Sequence, residues 1–339
     1  MEGFKQGVPA RAESAERLLE EGKNPGLGIR KLHEQGITGK GVVVGILDQR
    51  ISPTHSEFKD SIISNKEYYT PQSIDDTEVS MHGPAVVSLL AGKECGVAPD
   101  AKVVYANTNA SVDGFLGDDR ALQDIIGYNK HHDPKIRVVS VSKGYSEFSE
   151  NVRPGVDEWI KLKQEAANSG ITVIDSNYFE EHALTGGGSK SDKDAFDEYN
   201  LPLFYTDAHS APPSVEEVEK LVASWDESRQ KRFFERYKTY QGFVDYRADK
   251  LANTIIVPSD YRTRAAPESD TAYEYDEDGG FSWAIPYFAG VFALALQVNP
   301  DITNDEFLNI VRETAGHNKQ GIKVINPRGI IEEVKKMAS

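Results

Sequence analysis

Apolar positions along this chain fall into short blocks of two kinds. Val42-Val43-Val44-Gly45-Ile46-Leu47, Ala101 to Ala106, Arg137 to Val141, Ile171 to Ile174 and Thr254 to Val257 are largely β-branched runs without strict alternation. Runs of this kind fit parallel strands covered on both faces. Between them lie helix-length blocks: Met81 to Gly92, about Asp118 to His131, about Val156 to Asn168, and Asp301 to Thr314 with Thr303 at a capping position. Strands alternating with helices predict βαβ units, right-handed crossovers and a parallel sheet flanked on both sides. The expected class is therefore α/β.

One block is apolar all round. Gly279-Gly280-Phe281-Ser282-Trp283-Ala284-Ile285-Pro286 leads into an unbroken apolar segment ending near Leu296. Read as a helix, it must be wholly buried. Pro286 is tolerable near the helix start, where amide protons lack partners. Ser282 then stands at the positive end of a buried helix dipole, which favours negative charge developing beside it. The plain alternative is a core helix with a capping serine.

Elsewhere the rhythm is interrupted. Residues 11–24 predict a short amphipathic helix or loose arm, stopped by Asn24-Pro25-Gly26, and Ile29 to Gln35 predicts a second short helix. Gly186-Gly187-Gly188-Ser189-Lys190-Ser191-Asp192 reads as loop, Pro213 to Tyr240 as charged helix with Trp225, Phe233, Phe234 and Tyr237 as packing residues, and Glu268 to Asp278 as an acidic loop. The expected organisation is an arm over residues 1–27 and one domain over 28–339, with a helical insertion at about 178–250.

Composition narrows the function classes. A formal net charge of −16 argues against nucleic acid, whose phosphates call for Lys and Arg, and against an anionic membrane surface. The run from Phe288 to Val298 reads as too short to span a bilayer. A single cysteine, Cys95, excludes an internal disulfide framework. Residues 1–24 are polar and Glu-rich, without a basic start and apolar h-region, so a cytoplasmic setting is the expectation.

Three residues at element ends carry the candidate chemistry: Asp48 closing a strand, His82 opening a helix and Ser282 opening the buried helix. Serine is a weak nucleophile until a base takes its proton; histidine suits that role near neutral pH, and a carboxylate fixes its tautomer. The order Asp, His, Ser differs from that of α/β-hydrolases, and Gly280-Phe281-Ser282-Trp283-Ala284 lacks their second elbow glycine. His131-His132 and His55 lack zinc-ligand spacing. No Gly-x-Gly-x-x-Gly follows the first strand, which sets a dinucleotide fold aside.

Over roughly residues 28–315 the chain resembles the subtilisin-like serine peptidases. Gly39-Lys40-Gly41-Val42 through Asp48, with His55-Ser56-Glu57-Phe58, is similar to the family's aspartate segment. His82-Gly83, Ala91-Gly92 and Gly96-Val97-Ala98-Pro99-Asp100-Ala101 are similar to its histidine segment, and Gly280 to Gly290 to its serine segment. Val139 to Gly144 resembles the edge that binds substrate backbone, and Gly170 to Asn177 the strand carrying the oxyanion asparagine.

The resemblance implies a three-layer α/β/α fold and a serine endopeptidase. Its triad would be Asp48, His82 and Ser282, with Asn177 and the Ser282 amide as oxyanion donors. Ser142, Lys143, Gly144, Asp175 and Ser176 would bind the substrate peptide. Asp175 is a candidate to face a basic substrate side chain, the alternative being a hydrogen-bonded strand-end carboxylate; Lys143 either attracts an acidic residue or is a solvated rim charge. No cofactor is implied. Family members often bind structural calcium, for which Asp75-Asp76, Asp118-Asp119 and Glu274 to Asp278 are the acidic groups available, with no site assigned.

The departures are Gln49-Arg50 after Asp48, Pro84-Ala85 after Gly83, and bulky Phe281 and Trp283 around Ser282. They predict a reshaped cleft and selective processing of peptides. The rival expectation is a catalytically silent peptide-binding or regulatory protein on the same scaffold. The arm over residues 1–27 is a candidate to lie near the cleft and be trimmed, against an ordinary frayed terminus.

Overall fold

The computed structural model describes residues 7–69, 78–108, 114–145, 154–201 and 214–338, with side chains from residue 15 onward. Five strands form the main sheet: β1 (Val43–Asp48), β2 (Ile62–Glu67), β3 (Lys102–Asn107), β4 (Ile136–Val141) and β5 (Thr172–Ile174). Their order is β2-β3-β1-β4-β5 and every pairing is parallel. β1 is buried along its whole length, which is why its sequence is apolar on both faces. Val44 and Ile46 point to one side of the sheet, and Val43 and Leu47 to the other.

The two sides are filled differently. On the first lie the histidine helix His82–Ala91 and the serine helix Gly280–Val298. On the second lie the helices Leu116–Tyr128 and Val156–Asn168, with Trp159 fully buried. The result is the α/β/α layering expected from the sequence. The serine helix is long and apolar enough to cross a membrane by length and composition, unlike the shorter run read from sequence, but 78% of it is buried inside the protein. Asn304–Thr314 follows, with Thr303 and Glu306 forming the reciprocal capping pair.

A second sheet extends the core in the order β10-β11-β7-β6, from Leu184–Gly187 (β6), Ile255–Pro258 (β7), Gly316–His317 (β10) and Lys323–Val324 (β11). The glycines of β6 read as loop in the sequence. They form a strand because neighbours press on them: a side chain at Gly187 would meet the Asn200 carbonyl at 2.4 Å. The helical insertion is consequently narrower than expected. Its helices Val215–Ala223, Glu227–Tyr237 and Tyr240–Asn253 enclose a small core of their own around Phe233, which the rings of Trp225, Phe234 and Tyr237 surround.

The acidic stretch before Ser282 is also more ordered than its charge suggested. Arg262–Ala265 (β8) and Tyr273–Asp276 (β9) pair as an antiparallel hairpin. The arm helix Gly7–Gly22 docks on this hairpin, where the Thr263 hydroxyl donates to the Leu19 carbonyl at 2.7 Å. Lys23, just beyond it, pairs with Glu94 at 2.7 Å.

The histidine helix begins hard against the backbone that follows Asp48. A side chain at Gly83 would lie 2.2 Å from the Gln49 carbonyl oxygen and 2.7 Å from the Tyr105 hydroxyl. Backbone cannot give way cheaply there, so Gly83→Ala is expected to cost about 1–3 kcal/mol of stability and to part His82 from Asp48. Urea unfolding of the variant checks the first, and a wild-type midpoint would contradict it.

Candidate active site

Asp48 ends β1 at the carboxyl edge of the sheet, beside Asn107 of β3. Open α/β sheets place their ligands at this edge. Its carboxylate oxygen Oδ1 accepts from the Gln49 amide at 2.7 Å and is 2.6 Å from His82 Nδ1. Asp48 is nearly buried while the imidazole is about one-fifth exposed, so one ring edge is held by the carboxylate and the rest reaches a cleft. The Ser80 hydroxyl accepts from the amides of His82 and Gly83 at 3.1 and 3.2 Å, which fixes the start of the histidine helix.

Ser282 lies in the first turn of the serine helix, where its amide has no intrahelical acceptor. Its carbonyl accepts from the Ser142 hydroxyl at 2.9 Å, tying the helix start to the end of β4. Trp283, the next residue, sets its ring 5.2 Å from the His82 ring. The structure thus brings Asp48 and His82 into contact and packs the serine's neighbour on the imidazole. Among the described residues the Ser282 hydroxyl makes no hydrogen bond, to His82 or to any other group. Such bonds are often loose before substrate binds.

Trp283 does not crowd the cleft as its size suggested. Only 4% of it is exposed, because its indole N–H donates to Asp276 Oδ2 at 3.0 Å and Arg264 clamps the same oxygen at 2.6 Å. Phe281 packs against Phe179 at 5.6 Å between ring centres. The sequence did not single out Arg264, whose role rests on its pairing with Glu274 and Asp276 across the hairpin.

A cavity of about 460 Å³ opens beside Asp48 and His82, walled by Thr108, Asp118, Ser142, Lys143, Gly144 and Ser176. Of the expected peptide-binding residues, Ser142, Lys143, Gly144 and Ser176 stand here. Lys143 is corrected from a solvated rim charge: its side chain is only 8% exposed and pairs with Asp118 at 2.5 Å, and Thr108 donates to the other oxygen of Asp118 at 2.8 Å. Burial pushes the Asp118 carboxyl above its usual range, with Lys143 pulling against it. Burial and the charge of Asp118 raise its neighbour Asp119 to about 7.

Asp175 is removed from the cleft altogether. It is fully buried, caps the helix Ser176–Glu181 through the Tyr178 amide, and accepts from Trp159 and Lys163 at 3.2 and 2.7 Å. Asn177 stands in that helix with its amide clamped on the Tyr145 backbone: Nδ2 donates to the carbonyl at 2.8 Å and Oδ1 accepts from the amide at 3.0 Å. One Nδ2 hydrogen remains for another acceptor.

Among the described residues no group of three His, Cys, Asp or Glu side chains could hold a metal ion. Glu274 and Asp276 are taken up by Arg264, Asp118 by Lys143, and Asp75-Asp76 lies outside the described residues.

The electrostatics favour a charged imidazole. Burial alone would lower the His82 pKa, but the adjacent Asp48 charge and its hydrogen bond outweigh that and hold it above 6.5, with Arg264 acting downward. Replacing Asp48 by Asn is expected to lower the pKa of His82, and Arg264→Met to raise it, as read from ring-proton NMR titration. A pKa unchanged by both would contradict this account. Because the folded pKa is raised, the stabilising contribution of His82 is full below pH 6.5 and is lost as pH rises through the folded value.

Comparison with known proteins agrees with this architecture. Residues 39–177 match the model of the subtilase family, a stretch holding Asp48, His82 and Asn177. The chain is 26% identical over 301 residues to serine protease AprX of Bacillus subtilis, covering 82% of this chain and 62% of AprX. It spans less than two thirds of the length of the curated relatives it matches. Among solved structures, the A-subunit of the AB5 toxin from E. coli superposes with a TM-score of 0.56 at 16% identity, covering 92% of this chain and 98% of that one. A cold-adapted subtilisin-like serine proteinase gives 0.51 at 17% identity, covering 85% and 89%. Layering, segment order and sequence thus resemble those of the subtilase family, whose model matches residues 39–177 of this chain.

Proposed function

We propose that the protein is a serine endopeptidase that cleaves peptide bonds through an acyl-enzyme. The observation that carries this reading is the 2.6 Å contact between Asp48 Oδ1 and His82 Nδ1, with Ser282 one residue from the side chain packed on that ring. With Nδ1–H donated to Asp48, the imidazole is held in the tautomer whose Nε2 lone pair can accept a proton. Ser282 Oγ attacks the substrate carbonyl carbon as His82 Nε2 takes its proton. The imidazolium then protonates the leaving amine. Water, deprotonated by the same nitrogen, releases the acid product and restores the serine. Asp48 stays ionised throughout and stabilises the imidazolium.

Negative charge on the tetrahedral oxygen falls at the mouth of the serine helix. The Ser282 amide and the remaining Nδ2 hydrogen of Asn177 are the donors proposed for it, each worth about 100- to 1,000-fold in rate. The substrate would lie along Ser142–Gly144 as an added strand. Among the described residues, the Ser142 carbonyl and the Gly144 amide and carbonyl have no hydrogen-bond partner, whereas the Lys143 carbonyl already accepts from the Ser176 amide. That alternation is what strand addition requires. The internally neutralised Lys143–Asp118 wall supports selection by shape in place of charge. Selective processing of peptides is the narrower form of the proposal. A lone cysteine, buried and unbridged, supports a reducing, cytoplasmic setting for it.

A second reading rests on the unbonded Ser282 hydroxyl and the Asn177 amide turned onto Tyr145: a catalytically silent peptide-binding protein. A fluorophosphonate probe separates the two. The peptidase reading expects covalent labelling of the wild type, none in Ser282→Ala, and a fall of at least about 10⁴-fold in rate for His82→Ala. Labelling should quicken as pH rises through the His82 pKa, above 6.5, because the neutral ring is the base. Absence of labelling across that range would favour the silent reading.

A further inference from the structure

The β8–β9 hairpin has two unlike faces, and the arm helix Gly7–Gly22 covers one of them. Register sets Thr263 opposite Tyr275 and Arg264 opposite Glu274. Side chains alternate along a strand, so Thr263, Tyr273 and Tyr275 share one face and Arg264, Glu274 and Asp276 the other. The arm is fitted to the first face. A side chain at Gly22 would lie 2.2 Å from Thr263 Oγ1, 2.8 Å from the Thr263 amide nitrogen and 2.8 Å from the Tyr275 ring. Thr263 is fully buried and donates to the Leu19 carbonyl at 2.7 Å. Lys23 closes the dock, its ammonium 4.6 Å from the centre of the Tyr273 ring and paired with Glu94. On the second face Arg264 grips Asp276, and Asp276 accepts from the Trp283 indole that packs on His82.

A hairpin of two strands is marginal in water and needs a layer packed on it. β8 has anchors in the body of the protein, since the Ala265 amide donates to the Ser88 hydroxyl at 3.0 Å and Arg262 to the Cys95 carbonyl at 2.8 Å. β9 is partly exposed at all four residues. Its start is fixed by the Tyr273 hydroxyl, which donates to Glu57 at 2.7 Å. Its far end carries Asp276, next to the Tyr275 on which Gly22 rests. The arm's own hold is slight: residues 15–18, Glu20 and Glu21 are exposed. A helix attached by so few groups can lift while the core stays folded.

We propose that the arm is a built-in activating clamp: docked on the hairpin, it holds the Asp276 end of β9 so that Trp283 stays against His82, and its release loosens that wall and slows the reaction. Displacing the arm then lowers activity, the reverse of an inhibitory segment whose trimming would raise it. The effect on rate rests on the peptidase reading; the hold on Trp283 does not.

Two variants of the full chain test it. Gly22→Val forces the arm off Thr263, and Lys23→Met weakens the dock from its other end without adding bulk. The Trp283 indole N–H resonance, assigned with Trp283→Phe, is expected to move in both, further in Gly22→Val. His82 is expected to titrate at higher pH in both, the direction expected for Arg264→Met. Fluorophosphonate labelling, read on its high-pH plateau, should fall on the order of 10- to 100-fold in Gly22→Val. A lowered urea midpoint with the indole signal and the His82 titration unchanged would mean an arm that only stabilises, and would overturn the proposal. A displaced indole with labelling at the wild-type rate would overturn it equally. An unlabelled wild type would defeat the peptidase reading alone, and the two NMR readings would still decide whether the arm holds the wall.

Discussion

A carboxylate at the end of a buried strand grips an imidazole at the start of a buried helix, and much of this molecule serves to keep them together. The 2.6 Å contact of Asp48 with His82 needs β1 to finish where the histidine helix begins, with Gly83 allowing the helix to touch the backbone after Asp48. The parallel sheet gives Asp48 a fixed floor, since β3 and β4 flank β1 along its length. The Asp48 charge also outweighs the cost of enclosing the ring.

The serine helix supplies the other half of the arrangement. It runs through the core with Trp283 to Leu296 buried, which anchors the partly exposed first turn that carries Ser282. Its entry is fastened from three directions: Ser142 on the Ser282 carbonyl, Asp260 on the Gly279 amide, and Asp276 on the Trp283 indole. Bulk that would obstruct a cleft if it faced outward instead becomes a wall behind His82.

Much of this was legible before any coordinates. Unbroken Val/Ile runs announced β1, β3, β4 and β5, because strands buried on both faces have no polar positions to show. The Thr303 cap and the fully apolar serine helix were equally plain. What stayed hidden was whatever depends on pairing across long separations. The edge strand β2 is mostly exposed and carries polar residues, β6 is half glycine, and the hairpin's β9 is acidic, so none resembles a core strand in isolation. Of the site, the positions of Asp48, His82 and Ser282 followed from element ends and family order. The fates of Lys143 and Asp175 did not, because each is decided by a partner distant in sequence or on another element: Asp118 for the first, Trp159 and Lys163 for the second.

The claim at the centre is that the Ser282 hydroxyl works with the Asp48-bound ring of His82. A crystal structure of the protein with a peptide boronic acid, which mimics the tetrahedral intermediate, addresses it directly. The account predicts boron bonded to Ser282 Oγ, with His82 Nε2 within hydrogen-bonding distance of the adduct and Asp48 still on Nδ1. An empty site with the Ser282 hydroxyl facing away from the ring would contradict it.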